Sequence, residues 1–494
     1  MDTFDKETNV LIVGGGFSGM ATAVALQKEG INDFHIIDRG HDFGGTWRDN
    51  SYPGAACDVP SHLYSLSFAQ DFDWSRSFGT QPEIYEYQRE VARNHGLYSS
   101  AHFKTEMVDA RWDDDAARWM VVTEIIDSGA RTTWAAKELV LGVGALCEPR
   151  MPDIQGIETF AGEVFHSSRW NHEVDLRDKR VAIIGTGASA IQIIPKIAPI
   201  VGRLDVYQRT APYVIPRLDR NYTSIERTAL RKIPGLRRVV RAQDWFFREL
   251  QIPGLTRDSR FMAPIKFLSQ GMLRMQVKDP ELREKLTPKF TIGCKRMLIS
   301  NTYFPAIARD NVELVTSPID RVGPHSITTV DGTERTIDVL IICTGFHVTD
   351  SPAFDLVHDG SGQSLATKWQ REGMSAYKGA TVPGFPNMTM IMGPATGLGH
   401  SSMIYMIESQ VKYFVEMLKA KKRAGVNVAE VREQAFNKWN DWVRERVKTT
   451  VWITGCGSWY RDAHGNAPAV WPSWTWLFRA KTRKFDDGAY VLSR

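Results

Sequence analysis

Short apolar, β-branched runs recur along the chain, and each is followed by a glycine loop or by helical periodicity. Asn9-Val10-Leu11-Ile12-Val13 is the first such run. Its composition suits a parallel strand buried on both faces. It leads directly into Gly14-Gly15-Gly16-Phe17-Ser18-Gly19, after which residues 20 to 28 read as a helix and Phe34-His35-Ile36-Ile37 as a second strand ending at Asp38. The same order returns later: an apolar run at 179 to 184, the loop Gly185-Thr186-Gly187-Ala188-Ser189-Ala190, a helical stretch at 191 to 198 and the strand Leu204-Asp205-Val206-Tyr207. Two further apolar runs ending in glycine, 138 to 144 and 338 to 345, close the two halves. Strands alternating with helices in this way predict an α/β fold with two Rossmann-like dinucleotide-binding domains.

Residues 221 to 290 break the alternation. They are rich in Arg, Leu and Phe and poor in strand signals, with helical periodicity at 243 to 250 and 262 to 277. A helical insertion in the second domain is expected there. The division that follows is 1–155 with 378–494 as the first domain, 156–220 with 291–377 as the second, and 221–290 as the insertion. Near the end, 387 to 394 reads as a buried strand and 403 to 419 as a helix. The tail then carries Trp452, Trp459, Trp471, Trp474 and Trp476, too many large rings to leave in water, so it should pack over a site.

The glycines have separate tasks. Gly14 permits the tight turn, Gly16 lets a pyrophosphate approach the backbone, and Gly19 lets helix and strand lie close. The first amides of the helix and its dipole would face the phosphates. Asp38 offers a carboxylate to ribose hydroxyls. In the second loop Ala190 replaces the last glycine, and the following strand runs into Gln208-Arg209-Thr210 where the first has its acid. A carboxylate there would repel a 2′-phosphate, whereas a guanidinium pairs with it, so this site should prefer NADPH to NADH. The alternative is that Arg209 is an ordinary surface arginine. Two dinucleotides imply one redox cofactor and one hydride donor, and the N-terminal, acid-ended site is read as the one for FAD.

Composition excludes several classes. The 494 residues, 43% hydrophobic and 24% charged, are those of a globular protein of more than one domain. The net charge of +4 gives no reason to expect a nucleic-acid partner. No apolar run reaches the roughly 20 residues of an integral membrane segment. The start, Met1-Asp2-Thr3-Phe4-Asp5-Lys6, is too polar for a secretory signal, so a cytoplasmic location is expected. Cys57, Cys147, Cys294, Cys343 and Cys456 form no CxxC pair and no metal-ligand spacing, which predicts neither structural disulfides nor zinc, and argues against a disulfide reductase on the same scaffold. The basic stretch 227 to 241 is read as two short helical pieces with solvated faces, split at Pro234-Gly235, rather than as a membrane or nucleic-acid surface.

Three motifs then carry a resemblance. Phe160 to Trp170 fits FxGxxxHxxxW through Phe160, Gly162, His166 and Trp170. Gly44, Gly45, Trp47, Tyr52, Pro53, Gly54 and Asp58 complete GGxWxxxxYPGxxxD. Gly293-Cys294-Lys295-Arg296-Met297 is similar to a family stretch carrying an arginine. Over nearly its whole length the chain resembles the class B flavoprotein monooxygenases, and within them the type I Baeyer-Villiger monooxygenases. That family usually has Pro or Asp after the tryptophan, where this chain has Asn171.

The resemblance implies an FAD-containing, NADPH- and O2-dependent enzyme that converts ketones to esters or lactones through a C4a-peroxyflavin. The alternative is a flavin monooxygenase oxidising N or S atoms, with a thioether as its substrate. The resemblance further implies that Arg296 is the catalytic arginine, Asp58 the acid beside it and Lys295 an NADPH ligand. Expected cofactor-binding residues are Gly14, Gly16, Phe17, Ser18, Gly19, Asp38, Gly45, Thr46, Trp47, Tyr52, Asp58 and Tyr64, with Gly185, Thr186, Gly187, Ala188, Ser189, Gln192, Arg209, Thr210, Lys295 and Trp459. A permanently charged guanidinium suits such chemistry because it stabilises anionic oxygen without giving up a proton. The competing reading of Asp58 and Arg296 is a structural salt bridge. His166 and Trp170 are read either as coupling the NADP domain to the flavin or as plain structure.

Overall fold

The computed structural model describes residues 4–457, 460–462 and 466–494. β1 (Lys6–Val13) and β2 (Phe34–Ile37) run parallel, with Val10 opposite Phe34. The helix between them, α1 (Phe17–Lys28), is buried along most of its length, which explains its lack of a polar face. β3 (Ala101–His102) extends the sheet beyond β2. The long strand β6 (Arg131–Leu141) lies on the other flank of β1.

An antiparallel meander, absent from the sequence-based expectation, joins this sheet. β4 (Thr105–Asp113) pairs with β5 (Arg118–Ile125), and β5 with the first half of β6. Trp112, Trp119 and Trp134 are buried in its core. Half-buried alternation of this kind is a weaker signal than an unbroken apolar run.

The second sheet is wholly parallel. β7 (Glu163–His166), β8 (Arg180–Ile184), β9 (Arg203–Tyr207), β10 (Val312–Val315) and β11 (Val339–Ile342) lie in the order β10-β9-β8-β11-β7. α2 (Ala190–Ile197) follows its glycine loop. The chain then returns to the first sheet: β12 (Val357–His358) pairs with β4, and β13 (Met388–Met390) lies beside the second half of β6. This return comes ahead of position 378, where sequence reading places it, because a two-residue strand leaves no readable pattern.

Between the parallel pair Val214–Ile215 and Leu298–Ile299 the chain forms helices. The three longest are α3 (Ser224–Lys232), α4 (Leu236–Glu249) and α5 (Ala263–Gln276). A capping box of Thr223 and Glu226 starts α3, and Gly235, at φ +81°, turns the chain into α4. α6 (Met403–Ala424) packs on α1. Trp452 and Trp471 are fully buried, as expected of a packed tail, but Trp476 is exposed.

One expectation is overturned. Cys294 and Cys456, 162 residues apart, are joined by a disulfide. Cys57, Cys147 and Cys343 are free. The folded chain brings the exit of the insertion beside the C-terminal segment, and spacing along a sequence carries no trace of such an approach.

The glycine assignments can be checked against the space around them. A Cβ on Gly19 would stand 1.9 Å from the Gly14 carbonyl oxygen, whereas one on Gly187 would meet nothing within 4 Å. Gly19→Ala should therefore lower unfolding free energy by about 1–3 kcal/mol. Gly187→Ala should change it by less than about 0.5 kcal/mol. Thermal or urea unfolding of the two variants measures the difference.

Candidate active site

Both nucleotide loops have the expected construction. Gly14 and Gly185 adopt φ of +107° and +109°, and a Cβ on either would collide with a carbonyl oxygen of the neighbouring strand's exit, Gly142 or Cys343. Gly16 and Gly187 border open space: a Cβ on Gly16 would meet only the Gly45 Cα, at 3.8 Å. The two positions at which a pyrophosphate would approach the backbone are thus the two left clear. Phe17 and Ser18 are buried at the start of α1.

Asp38 sits at the end of β2, as expected. Its carboxylate already accepts hydrogen bonds from the Gly15 amide (2.6 Å), the Gly40 amide (2.7 Å) and Arg48 (2.7 Å). A carboxylate has about four lone-pair sites, so one remains for a ligand. Gly45 and Thr46 begin the short helix Thr46–Asp49, whose Trp47 indole donates to the Tyr64 hydroxyl at 3.0 Å.

The two units meet through their expected cofactor residues. The Tyr52 hydroxyl donates to Gln192 Oε1 at 3.0 Å, and Gln192 Nε2 donates to the Ala56 carbonyl at 2.8 Å. Burial pushes the Tyr52 phenol up to about 12. A Cβ on Gly54 would lie 2.6 Å from the Gln192 carbonyl, so glycine is what lets this loop close on α2. Thr186 donates to the Thr210 carbonyl at 3.2 Å, while Ala188 and Ser189 border the second loop.

At the end of β9, Arg209 is exposed and stands close enough to Lys295 to disfavour its charge. Burial first, then Arg209, pulls the Lys295 ammonium below its ordinary value. Neither cation forms an ion pair among the described residues. Two cations thus stand together at the strand end where the first unit carries Asp38.

Arg296 and Asp58 form a bidentate pair. Nε donates to Asp58 Oδ2 at 2.6 Å, Nη2 to Oδ1 at 2.7 Å, and Nη1 to the Leu398 carbonyl at 3.0 Å. Burial alone would raise the Asp58 carboxyl, but Arg296, with Arg248 and Arg217 nearby, holds it below the ordinary carboxylate range. Burial alone would lower the Arg296 guanidinium, and the Asp58 charge instead raises it. Both are therefore ionised at neutral pH. Their side chains remain 24% and 26% exposed, so the pair is not closed into the core.

Three neighbours escape sequence reading. Arg248, on α4, donates to the Asp58 carbonyl at 3.2 Å, and Arg217 donates to the Cys57 carbonyl at 3.0 Å. Tyr460 is fully buried and stands close enough to Arg296 for each to influence the other's ionisation. Its signal is its place in the tryptophan-rich tail, next to Trp459. Trp459 itself lies outside the described residues.

His400, in the loop after β13, is buried with its Nε2 3.3 Å from Glu249 of α4, and Glu249 also accepts from the amide and hydroxyl of Thr475. His166 and Trp170 lie elsewhere: residues 163–166 are the edge strand of the second sheet. Burial lowers His166 to about 4, so it is neutral at pH 7, and Trp170 packs on Phe165 with ring centres 5.0 Å apart. Among the described residues no His, Cys, Asp and Glu cluster is placed to hold a metal ion.

A flavin-binding monooxygenase-like family model matches residues 7–226. A Baeyer-Villiger monooxygenase of Streptomyces coelicolor is 45% identical over 491 residues, covering 99% of this chain and 93% of that protein. Another, from Pseudomonas aeruginosa, is 41% identical over 490 residues, covering 99% and 92%. Among solved structures, OTEMO in complex with FAD and NADP superimposes with a TM-score of 0.88 over the full length of both chains, at 27% identity. With both halves of its site built as the motifs require and relatives this similar along its whole length, the chain belongs to the Baeyer-Villiger monooxygenases of the flavin-binding monooxygenase-like family.

Proposed function

We propose that Arg296, fixed by Asp58, is the catalytic cation with which this chain oxygenates a ketone to an ester or lactone, using FAD, NADPH and O2. The observation that carries this is the bidentate pair, left about a quarter exposed at 24% and 26%. The names of the Streptomyces and Pseudomonas relatives support the reaction, and the FAD and NADP of the OTEMO structure support the cofactors.

The residues present fit both cofactors. The open space at Gly16 and the remaining acceptor site on Asp38 suit FAD. The open space at Gly187, with Arg209 and Lys295, suits a dinucleotide bearing a 2′-phosphate. Bound FAD, once reduced by NADPH, supplies the oxygen-activating chemistry.

The protein's own contribution is positional and electrostatic. Three of the five guanidinium N–H groups of Arg296 are committed to Asp58 and Leu398. What remains can meet an anionic oxygen beside the pair, and a fixed charge in a water-poor site stabilises such oxygen without reorganising. Asp58 compensates the charge and fixes the plane of the guanidinium, while Leu398 aims its third side. Tyr460 closes the pair from the tail.

Two variants test these roles. Arg296→Ala should leave flavin reduction by NADPH intact while ester formation falls about 10²–10³-fold and hydrogen peroxide takes up the missing equivalents. Oxygenation surviving at the parent rate, as sulfoxidation would if no fixed cation were needed, would remove Arg296 from the mechanism. Arg209→Ala should cut the preference for NADPH over NADH by about 10–100-fold, from the loss of charge-assisted bonds. The ratio of kcat/KM for the two donors reads this directly.

A further inference from the structure

The helical insertion turns part of its apolar surface outward. Along α4, Val239, Phe246 and the capping Leu250 recur at i, i+7 and i+11, with Phe247 beside them, and all are more than half exposed. α5 buries Met272 and Leu273 on one side yet leaves Phe267 76% exposed on the other, with Leu268 and Met275. Phe261, just before α5, is 67% exposed, and Ile225 and Ile233 add to the surface from the ends of α3. Single exposed apolar residues are ordinary, but clusters on three successive helices mark an interaction surface.

The charge on this surface has one sign. Residues 224 to 276 hold eleven Lys and Arg against four Asp and Glu, a net +7 in a chain whose total is +4. None of the four acids is exposed, and Glu226 and Asp258 are already paired with Arg220 and Arg260. Arg231, Lys232, Arg238, Lys266 and Arg274 are exposed and form no ion pair among the described residues. The solvated-face reading of 227 to 241 therefore covers the cations and leaves the apolar residues unexplained.

We propose that α3, α4 and α5 dock the protein on the surface of an anionic phospholipid membrane. Phe and Leu side chains would enter the boundary between headgroups and acyl chains, while Lys and Arg meet the lipid phosphates. Phe261 and Phe267 stand out from the surface, which suits a fluid layer better than a rigid partner. A second copy of this chain would bring two sets of these unpaired cations together. Among the described residues no helix is long and apolar enough to cross a membrane, so the attachment is peripheral. The inner face of α4 meanwhile carries Arg248 and Glu249 to Asp58 and His400, so one helix links the docking surface to the active site.

Co-sedimentation of the full-length, FAD-loaded protein with lipid vesicles tests the proposal. The protein should pellet with vesicles rich in phosphatidylglycerol and remain in solution with pure phosphatidylcholine. Replacing Arg231, Lys232 and Arg238 by Gln should weaken the partition about a hundredfold, at roughly fivefold per cation near the surface. The double variant Phe261→Ser, Phe267→Ser should abolish it. Both variants should retain the parent's flavin content and NADPH oxidation in vesicle-free buffer, which shows that they are folded. A parent protein that ignores anionic vesicles, or a double-Phe variant that pellets as the parent does, would overturn the proposal. So would a dimer in solution that the Phe substitutions dissolve without any vesicle binding, which would assign the face to a second copy.

Discussion

The bidentate contact between Asp58 and Arg296 is the constraint around which the rest of the site is arranged. Each partner would be costly to desolvate alone, because its charge would be left uncompensated. Bringing them together requires segments far apart in sequence: the loop after β2, the exit of the helical insertion, the loop after β13 through Leu398, and the tail through Tyr460. The disulfide between Cys294 and Cys456 ties two of these segments within a few residues of Arg296 and Tyr460. The pair is thus a product of the whole fold and not of either nucleotide unit.

Those nucleotide units were legible because their physics is local. A strand buried on both faces must be an unbroken apolar run, and a pyrophosphate turn must have glycine where a Cβ would collide, as at Gly14, Gly19 and Gly185. Asp38 and Arg209 could be placed because they follow their strands directly. The meander of β4, β5 and β6 was not legible, since its tryptophans face a core on one side only. Arg248 and Tyr460 were not legible either. Nothing in the sequence near Arg248 says that an arginine in a basic helix donates to the Asp58 carbonyl 190 residues away. Asp58 and Arg296 themselves stand in readable motifs, and only the fold brings them to 2.6 Å.

The helical insertion joins the two themes. Its inner face is polar where it meets the site, with Arg248 on Asp58 and Glu249 on His400 and Thr475. Its outer face is apolar and cationic. Such a two-faced element looks in sequence like a helix with blurred periodicity, and the exposed Phe261 and Phe267 are what separate it from an ordinary core helix.

The most direct test of the central claim leaves Arg296 in place and removes only its partner. In Asp58→Asn, the fraction of NADPH oxidised that appears as oxygenated product, measured against hydrogen peroxide released, should fall sharply while the rate of flavin reduction stays near that of the parent. An unchanged product fraction would show that the pair is a structural salt bridge and contradict the account.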